Sequence, residues 1–128
     1  MGYWLSNSLS IEGCLEALKK ALKGKKKSES LIHHSDRGVQ YCCKEYILLL
    51  QKEHIQISMT QENHCYENAH AERINGILKQ EFNLGVTFNT EQQALSAVCS
   101  AIKTYNQKRP HYALNLKTPD QVYFQKVA

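Results

Sequence analysis

The segment from residue 31 to residue 59 constrains the fold more than any other part of the chain. Residues 31–34 (Leu-Ile-His-His) and residues 55–59 (Ile-Gln-Ile-Ser-Met) have the length and composition of short β-strands. Residues 44–53, between them, have helical periodicity. The inward-facing residues of that helix are predicted to be Tyr46, Leu49 and Leu50. Strands that are joined through a helix pair in parallel, and the helix packs on their sheet, so the segment predicts an α/β fold.

The residues before this segment extend the alternation of strands and helices. Residues 2–6 are short and aromatic, and we predict that they form the end of a strand. A helix follows, which Ser8 or Ser10 can cap and Gly24 can end. Its apolar positions at helical spacing are Ile11, Cys14, Leu15, Leu18 and Leu22. The order up to residue 59 is then strand, helix, strand, helix, strand, as in layered α/β folds.

A helix is predicted from about Asn68 to Phe82, after a polar loop over residues 60–66. Its predicted apolar stripe consists of Ala71, Ile74, Leu78 and Phe82. Gly76 lies inside this helix and weakens it by about 1 kcal/mol relative to alanine. That cost predicts close packing or a close backbone approach at Gly76.

Two more helices are predicted from their starting residues. Thr90 and Gln93 have the spacing of a capping box, which opens a long helix. The apolar residues of that helix are Ala94, Val98, Ala101, Ile102 and Tyr105. Thr118 and Pro119 are suited to be the N-cap and the first residue of a last short helix.

Composition excludes several classes of protein. No run of 18 apolar residues and no secretory signal pattern is present, so we expect a cytoplasmic protein without a membrane partner. The five cysteines, Cys65 among them, form no Cys-x-x-Cys pair, and the histidine spacings match no zinc finger. We therefore expect reduced thiols and no structural zinc. The net charge of +4 and the lysine cluster at residues 19–27 favour phosphate backbones as partners, although such a cluster is also typical of a solvated turn.

Two carboxylates are candidates for chemistry because of their positions. Asp36 directly follows a predicted strand, where ligand sites gather in open α/β sheets. Glu72 lies in the first turn of a predicted helix, away from its apolar stripe. Two such oxygen ligands can hold a divalent cation. Alternatively, Asp36 is a turn residue and Glu72 favours the helix N-terminus, and spacing alone leaves both interpretations open. His33 and His34, which precede Asp36, are expected to be structural.

The sequences around the two acids resemble known motifs. Residues 34–41 (His-Ser-Asp-Arg-Gly-Val-Gln-Tyr) closely resemble the second-Asp motif of insertion-sequence transposases, and residues 68–81 resemble their catalytic-Glu helix. The thirty-five residues between the acids fit the spacing of that family, which shares the retroviral-integrase (DDE) core. The segment at residues 105–119 is similar to the family's C-terminal signature. The resemblance covers nearly the whole chain.

The resemblance implies an RNase H-like three-layer α/β fold and a polynucleotidyl transferase that cleaves and joins DNA strands. Asp36 and Glu72 would be the catalytic residues and the ligands of Mg²⁺ or Mn²⁺. The partner would be DNA, both element ends and target, in the cytoplasm at the nucleoid. The residues expected to contact DNA are Lys79, Asn75, Asn68, Arg109 and His111. For Asn68 a role as N-cap, and for Arg109 and His111 a role in folding the C-terminal turn, are the alternatives.

The family uses three carboxylates, and the resemblance places the first of them on a strand before residue 1. We therefore expect residues 1–128 to be the C-terminal part of a catalytic core that lacks its first two strands, with residues 105–128 as the family tail. Without this first carboxylate, we expect weak Mg²⁺ binding and little or no activity from the chain alone. A non-catalytic DNA-binding or self-associating transposase remnant is the main alternative. A third hypothesis is an RNase H-like nuclease of another family, and the C-terminal signature disfavours it.

The same loss would change the sheet. In the strand order 3-2-1-4-5 that the resemblance implies, the missing strands are central, so the strand at residues 31–34 would become an exposed edge. Exposed edges recruit other strands. We therefore expect self-association through this edge, with residues 1–7 rearranged or paired between chains.

Overall fold

The structure is a computed structural model that describes residues 2–25, 30–60 and 68–125. The chain divides into two compact units, Met1–Arg73 and Ile74–Ala128, which are described separately. The elements are α1 (Ile11–Leu22), β1 (Ile32–Ser35), α2 (Val39–Cys42), α3 (Lys44–Lys52), β2 (Gln56–Met59), α4 (Ala69–Gln80), α5 (Glu91–Lys108), a 3-10 helix (Tyr112–Leu114) and α6 (Pro119–Gln125).

Parts of four predictions lie outside the described residues. They are the lysines at 26 and 27 of the basic cluster, residues 61–66 of the polar loop, Cys65 and residues 126–128 of the tail.

The two strands of the first unit are paired in parallel, as the sequence predicts. Ile32 lies opposite Gln56, and Ser35 lies opposite Met59. Helix α3 connects the strands, with Tyr46 and Leu50 buried. Helix α2 was not predicted, because a four-residue helix is too short to have a detectable periodicity.

The core of the first unit lies between α1, α3 and the residue that precedes β2. Leu18, Tyr46, Leu50 and Ile55 form a buried cluster, against which the other predicted apolar positions of α1 pack. Full burial of one leucine side chain contributes roughly 1.5–3 kcal/mol, so this cluster stabilises the unit substantially. The predicted inward face of α1 is therefore confirmed.

The prediction of a strand at residues 2–6 is wrong. This segment has no strand pairing and lies against α1 instead. The Lys20 ammonium sits 3.5 Å from the centre of the Tyr3 ring. Gly2 approaches α1 so closely that a Cβ there would be 2.1 Å from the carbonyl oxygen of Ala17. A strand needs a hydrogen-bonded neighbour, and the described residues supply none at this position.

Helix α4 differs from its prediction in two respects. Ile77 is its buried residue, Ile74 and Leu78 are half-buried, and Ala71 is exposed. No described atom outside the helix comes within 4 Å of the place where a Cβ would stand on Gly76. The prediction of close packing at Gly76 is therefore wrong within the described part of the chain.

The helices of the second unit begin as predicted. The Thr90 hydroxyl accepts a hydrogen bond from the Gln93 amide and caps α5. A reciprocal capping box opens α6, because the Thr118 amide donates to the Gln121 side chain while the Gln121 amide donates to the Thr118 hydroxyl. The buried residues of α5 are Ala101, Ile102 and Tyr105. Within the described residues, no helix is long and apolar enough to span a bilayer.

Candidate active site at the carboxyl end of the sheet

Asp36 is the first residue after β1, and its side chain is exposed. One carboxylate oxygen, Oδ1, accepts a hydrogen bond from the Gly38 amide at 2.9 Å, an Asx-type turn. No described residue donates a hydrogen bond to Oδ2. Local backbone geometry therefore fixes the carboxylate while one oxygen stays available to a ligand.

Arg37 ties the carboxyl ends of the two strands together. Its Nε donates to the carbonyl oxygen of Thr60, the residue after β2, at 2.9 Å. The Thr60 amide in turn donates to the carbonyl oxygen of Ser35 at 3.0 Å. Both Ser35 and Thr60 are buried. These bonds hold the backbone on either side of Asp36 in place.

An aromatic cluster supports β1 from the side of α2 and α3. The His33 ring lies 5.4 Å from the Tyr46 ring, and Tyr41 lies 5.5 Å from Tyr46. His33 Nε2 and the Tyr46 hydroxyl are 3.1 Å apart, within hydrogen-bonding distance. Burial raises the pKa of Tyr46 to about 12 and also raises the pKa of Tyr41, to which the charge of Asp36 adds a smaller effect. These contacts give His33 the structural role that the sequence predicts.

Folding stability should decrease in mild acid because of His33. Burial lowers the pKa of His33, so the folded protein keeps this side chain neutral while the unfolded chain protonates it near pH 6.5. The unfolded state then binds more protons, and the free energy of unfolding falls as the pH drops below about 6.5 toward the lowered pKa of the folded state. Urea unfolding between pH 8 and pH 5 measures this slope. His33→Gln should flatten it, and an unchanged slope in that variant would contradict the assignment.

His34 lies on the opposite face of β1 from His33 and is exposed. Its Nδ1 and the Ser58 hydroxyl are 2.9 Å apart, and the two residues are partners across the strand pair. His34 therefore links the strands one residue pair before their carboxyl ends.

Gly38 is required for space rather than for backbone conformation. A Cβ at this position would lie 2.9 Å from Asp36 Oδ1 and 3.3 Å from a ring carbon of Tyr41. We expect Gly38→Ala to displace the Asp36 carboxylate. The stability cost should be below about 1 kcal/mol, because the exposed Asp36 side chain can move aside. On the sequence-based expectation that Asp36 is a metal ligand, affinity for Mn²⁺, measured by calorimetry, should fall about as far as in Asp36→Asn. Gly24→Ala, whose new Cβ would meet only one atom, at 3.8 Å, is the control.

Glu72 lies in the first turn of α4 and is exposed. Asn75 and Lys79 follow at spacings of three and seven residues, which place all three side chains on one face of the helix. Both are exposed, whereas Asn68, just before the helix, is half-buried. Asp36 and Glu72 both belong to the first unit.

Arg109 has a structural partner. Its guanidinium binds the Glu81 carboxylate through two hydrogen bonds of 2.7 Å, from Nε and Nη2, and this contact raises the pKa of Arg109. The His111 ring lies 5.1 Å from the Tyr105 ring, and the His111 amide donates to the carbonyl oxygen of Lys117. Of the two roles predicted for Arg109 and His111, these contacts favour folding of the C-terminal turn.

Asp36 and Glu72 suit a hard cation by type, because both offer exposed carboxylate oxygens. Within the described residues, no group of three or more His, Cys, Asp or Glu side chains is placed to hold a metal. Asp36 was predicted from the sequence as a site residue, whereas the contributions of Arg37 and Gly38 were not predicted. The sequence feature that could have indicated them is their position directly after Asp36.

Comparison with known proteins identifies the family. The profile of the integrase core domain matches residues 53–119, just over half of the chain. The insertion element IS600 uncharacterized 31 kDa protein of Shigella sonnei is 34% identical over 118 residues, which cover 91% of this chain and 43% of that protein. Transposase InsF for insertion sequence IS3A of Escherichia coli is 30% identical over 122 residues, which cover 94% of this chain and 42% of that protein. The chain thus spans less than half the length of these relatives.

The fold has a counterpart among solved structures. The catalytic core domain of HTLV-2 integrase, solved in a dimeric form in complex with magnesium, matches with a TM-score of 0.66 and 21% sequence identity. The match covers 91% of this chain and 70% of that one. The predicted α/β fold class of the integrase core is therefore confirmed. On the evidence of the family profile, this chain belongs to the integrase core domain family.

Proposed function

We propose that the chain forms part of the active site of a DNA transposase, with Asp36 and Glu72 as ligands of Mg²⁺ or Mn²⁺. The observation that carries the proposal is the fixed Asp36 carboxylate at the carboxyl end of β1, held by the Gly38 amide. Two similarities support it. InsF, one of the relatives, is a named transposase, and the HTLV-2 integrase core was solved in complex with magnesium. The substrate would be DNA, at element ends and at a target.

Each residue has a distinct task in this proposal. Asp36 and Glu72 hold the cation, which when bound would polarise a phosphodiester and favour attack by a hydroxyl. Lys79, on the face of α4 that carries Glu72, contacts a phosphate, and Asn75 and Asn68 contact phosphate or a base edge. Two carboxylates bind a divalent cation weakly, so the chain alone is expected to have little or no activity. The protein would act in the cytoplasm, at the nucleoid.

A chimera tests this function. The chain replaces the aligned 42% of the InsF transposase, and joining of a labelled donor end to a target plasmid is measured. Joining that requires Mg²⁺ or Mn²⁺ and is lost in EDTA supports the proposal. A folded chimera without joining activity, beside active InsF in the same assay, contradicts it.

A self-associating, non-catalytic role is the second candidate, and the edge of β1 favours it. Among the described residues β1 pairs only with β2. The carbonyl oxygens of Leu31 and Ser35 accept hydrogen bonds from Gln56, in β2, and Thr60, just after it, so the backbone groups of Ile32 and His34 point to the other edge. The Ile32 side chain is 65% exposed. An unprotected edge with an apolar side chain is suited to pair with a second copy.

Sedimentation tests self-association. We expect dimers or larger species at micromolar concentration, and Ile32→Lys should shift them toward monomer, because a lysine on an edge opposes strand pairing. Val39→Lys changes a side chain that is 83% exposed and outside the strand, so it serves as the control. A monodisperse wild-type monomer would exclude the edge as an interface.

A further inference from the structure

The C-terminal region contains a short turn whose backbone is hydrogen-bonded to itself. The tail turn, residues 111–117, includes the 3-10 helix Tyr112–Leu114. His111 and Lys117 form an antiparallel bridge, in which the His111 amide donates to the Lys117 carbonyl at 3.1 Å. The Leu116 amide donates back to the His111 carbonyl at 2.9 Å. These bonds close the turn on itself, with residues 112–116 as its tip.

The tip has a strained backbone. Asn115 and Leu116 are consecutive residues with φ of 53° and 61°, in the left-handed region. Asparagine tolerates this region, whereas leucine is uncommon there. Strain at such a position persists only where surrounding structure fixes it, and it is concentrated at functional sites.

The base of the turn is anchored on both sides. Arg109, just before it, is held by the bidentate pair with Glu81. Thr118, just after it, forms the capping box with Gln121. The turn therefore has a hydrogen-bonded anchor on each side.

What the tip presents is an aromatic ring. Tyr112 is 93% exposed, and Leu116, in the same turn, is 62% exposed. The Tyr112 and Leu116 side chains therefore contribute little to the core of the second unit, and both are accessible to a partner.

The charge around the tail turn indicates the kind of partner. From Gln92 to Pro119 the sequence contains no Asp or Glu. Arg109 is neutralised by Glu81, but Lys108 and Lys117 are exposed and carry no ion pair among the described residues. An exposed aromatic ring between lysines matches a nucleic acid, whose bases stack on aromatic rings and whose phosphates attract cations.

We propose that the tail turn binds unpaired DNA bases, with Tyr112 stacking on a base and Lys108 and Lys117 contacting the adjacent phosphates. The proposal rests on the proposed function, because it assumes that DNA is the partner. Its specific content is that Tyr112 recognises bases that have left the duplex, as at a frayed or opened strand end.

DNA binding by the full chain tests the proposal. Anisotropy is measured at one fixed salt concentration with a blunt duplex and with a duplex that has three unpaired bases at one end. Wild type should prefer the frayed DNA, and Tyr112→Ala should lose that preference through about a tenfold loss of affinity for the frayed DNA alone. Tyr112→Trp should retain it. Phe124→Ala, which removes an aromatic side chain that is 60% exposed on α6, is the matched control and should change nothing.

Three results would overturn the proposal, and they differ in what they leave standing. If wild type binds DNA and Tyr112→Ala keeps the preference for frayed DNA, the turn has no base-stacking role while DNA remains the partner. If Tyr112→Ala abolishes self-association and leaves DNA binding unchanged, the turn is a protein interface. If wild type binds neither DNA, this inference and the DNA substrate of the proposed function both fail.

Discussion

Asp36→Asn is expected to reduce metal-dependent joining by the InsF chimera at least about a hundredfold. The substitution keeps the size of the side chain and its ability to accept the Gly38 hydrogen bond, but it removes the negative charge that attracts a divalent cation. Loss of residues that only support metal ligands already costs roughly 10–100-fold, so loss of a ligand should cost at least as much. Joining rates measured across a Mn²⁺ titration would show both the lower rate and the higher metal requirement.

The chain offers matched controls for this experiment. Asp120 is the other aspartate in the sequence, and it lies in the first turn of α6. Asp120→Asn should leave joining within about twofold of wild type, since surface substitutions outside special sites have small effects. Glu72→Gln should behave as Asp36→Asn does, whereas Glu91→Gln, also in the first turn of a helix, should not. Full metal-dependent joining by Asp36→Asn would show that the site is wrongly assigned.

The parts of the fold that were predicted correctly are those determined by residues close together in the sequence. The strands, α3, the inward face of α1 and the caps at Thr90 and Thr118 follow from periodicity and from side chains that bind their own backbone a few residues away. The pattern could also place Asp36 at the end of a strand, because strand ends are a local property.

The features that were missed depend on partners distant in sequence. The ion pair between Glu81 and Arg109 joins residues 28 positions apart, and the hydrophobic periodicity of the sequence does not predict it. Residues 2–6 have the composition of a strand, but they lie against α1 because no described strand pairs with them. On α4, the sequence alone could not decide whether Ala71 or Ile77 faces the interior, because both fit an apolar stripe.

The position of the Asp36 carboxylate in the wild-type protein also depends on the hydrophobic core of the first unit. Tyr46 on α3 contacts His33 on β1, and Asp36 directly follows the last residue of β1. Leu50 is one helical turn after Tyr46 on the same face of α3. Its exposed fraction is 1%, and its cluster includes Leu18 of α1 and Ile55 before β2. A change at Leu50 is therefore expected to reach Asp36 through α3 and β1.

Leu50→Ala is expected to lower the free energy of unfolding by about 3 kcal/mol, through lost burial and the cavity that remains. Leu48→Ala, on the same helix but at a residue that is 51% exposed, should change it by less than about 0.5 kcal/mol. Urea unfolding followed by circular dichroism measures both. A small domain is stable by only about 5–15 kcal/mol, so this loss should also loosen β1 and reduce Mn²⁺ binding at Asp36 under mild denaturing conditions. Equal stability of the two variants would mean that Leu50 is not at the centre of the core, and the support that α3 gives to β1 would then need another explanation.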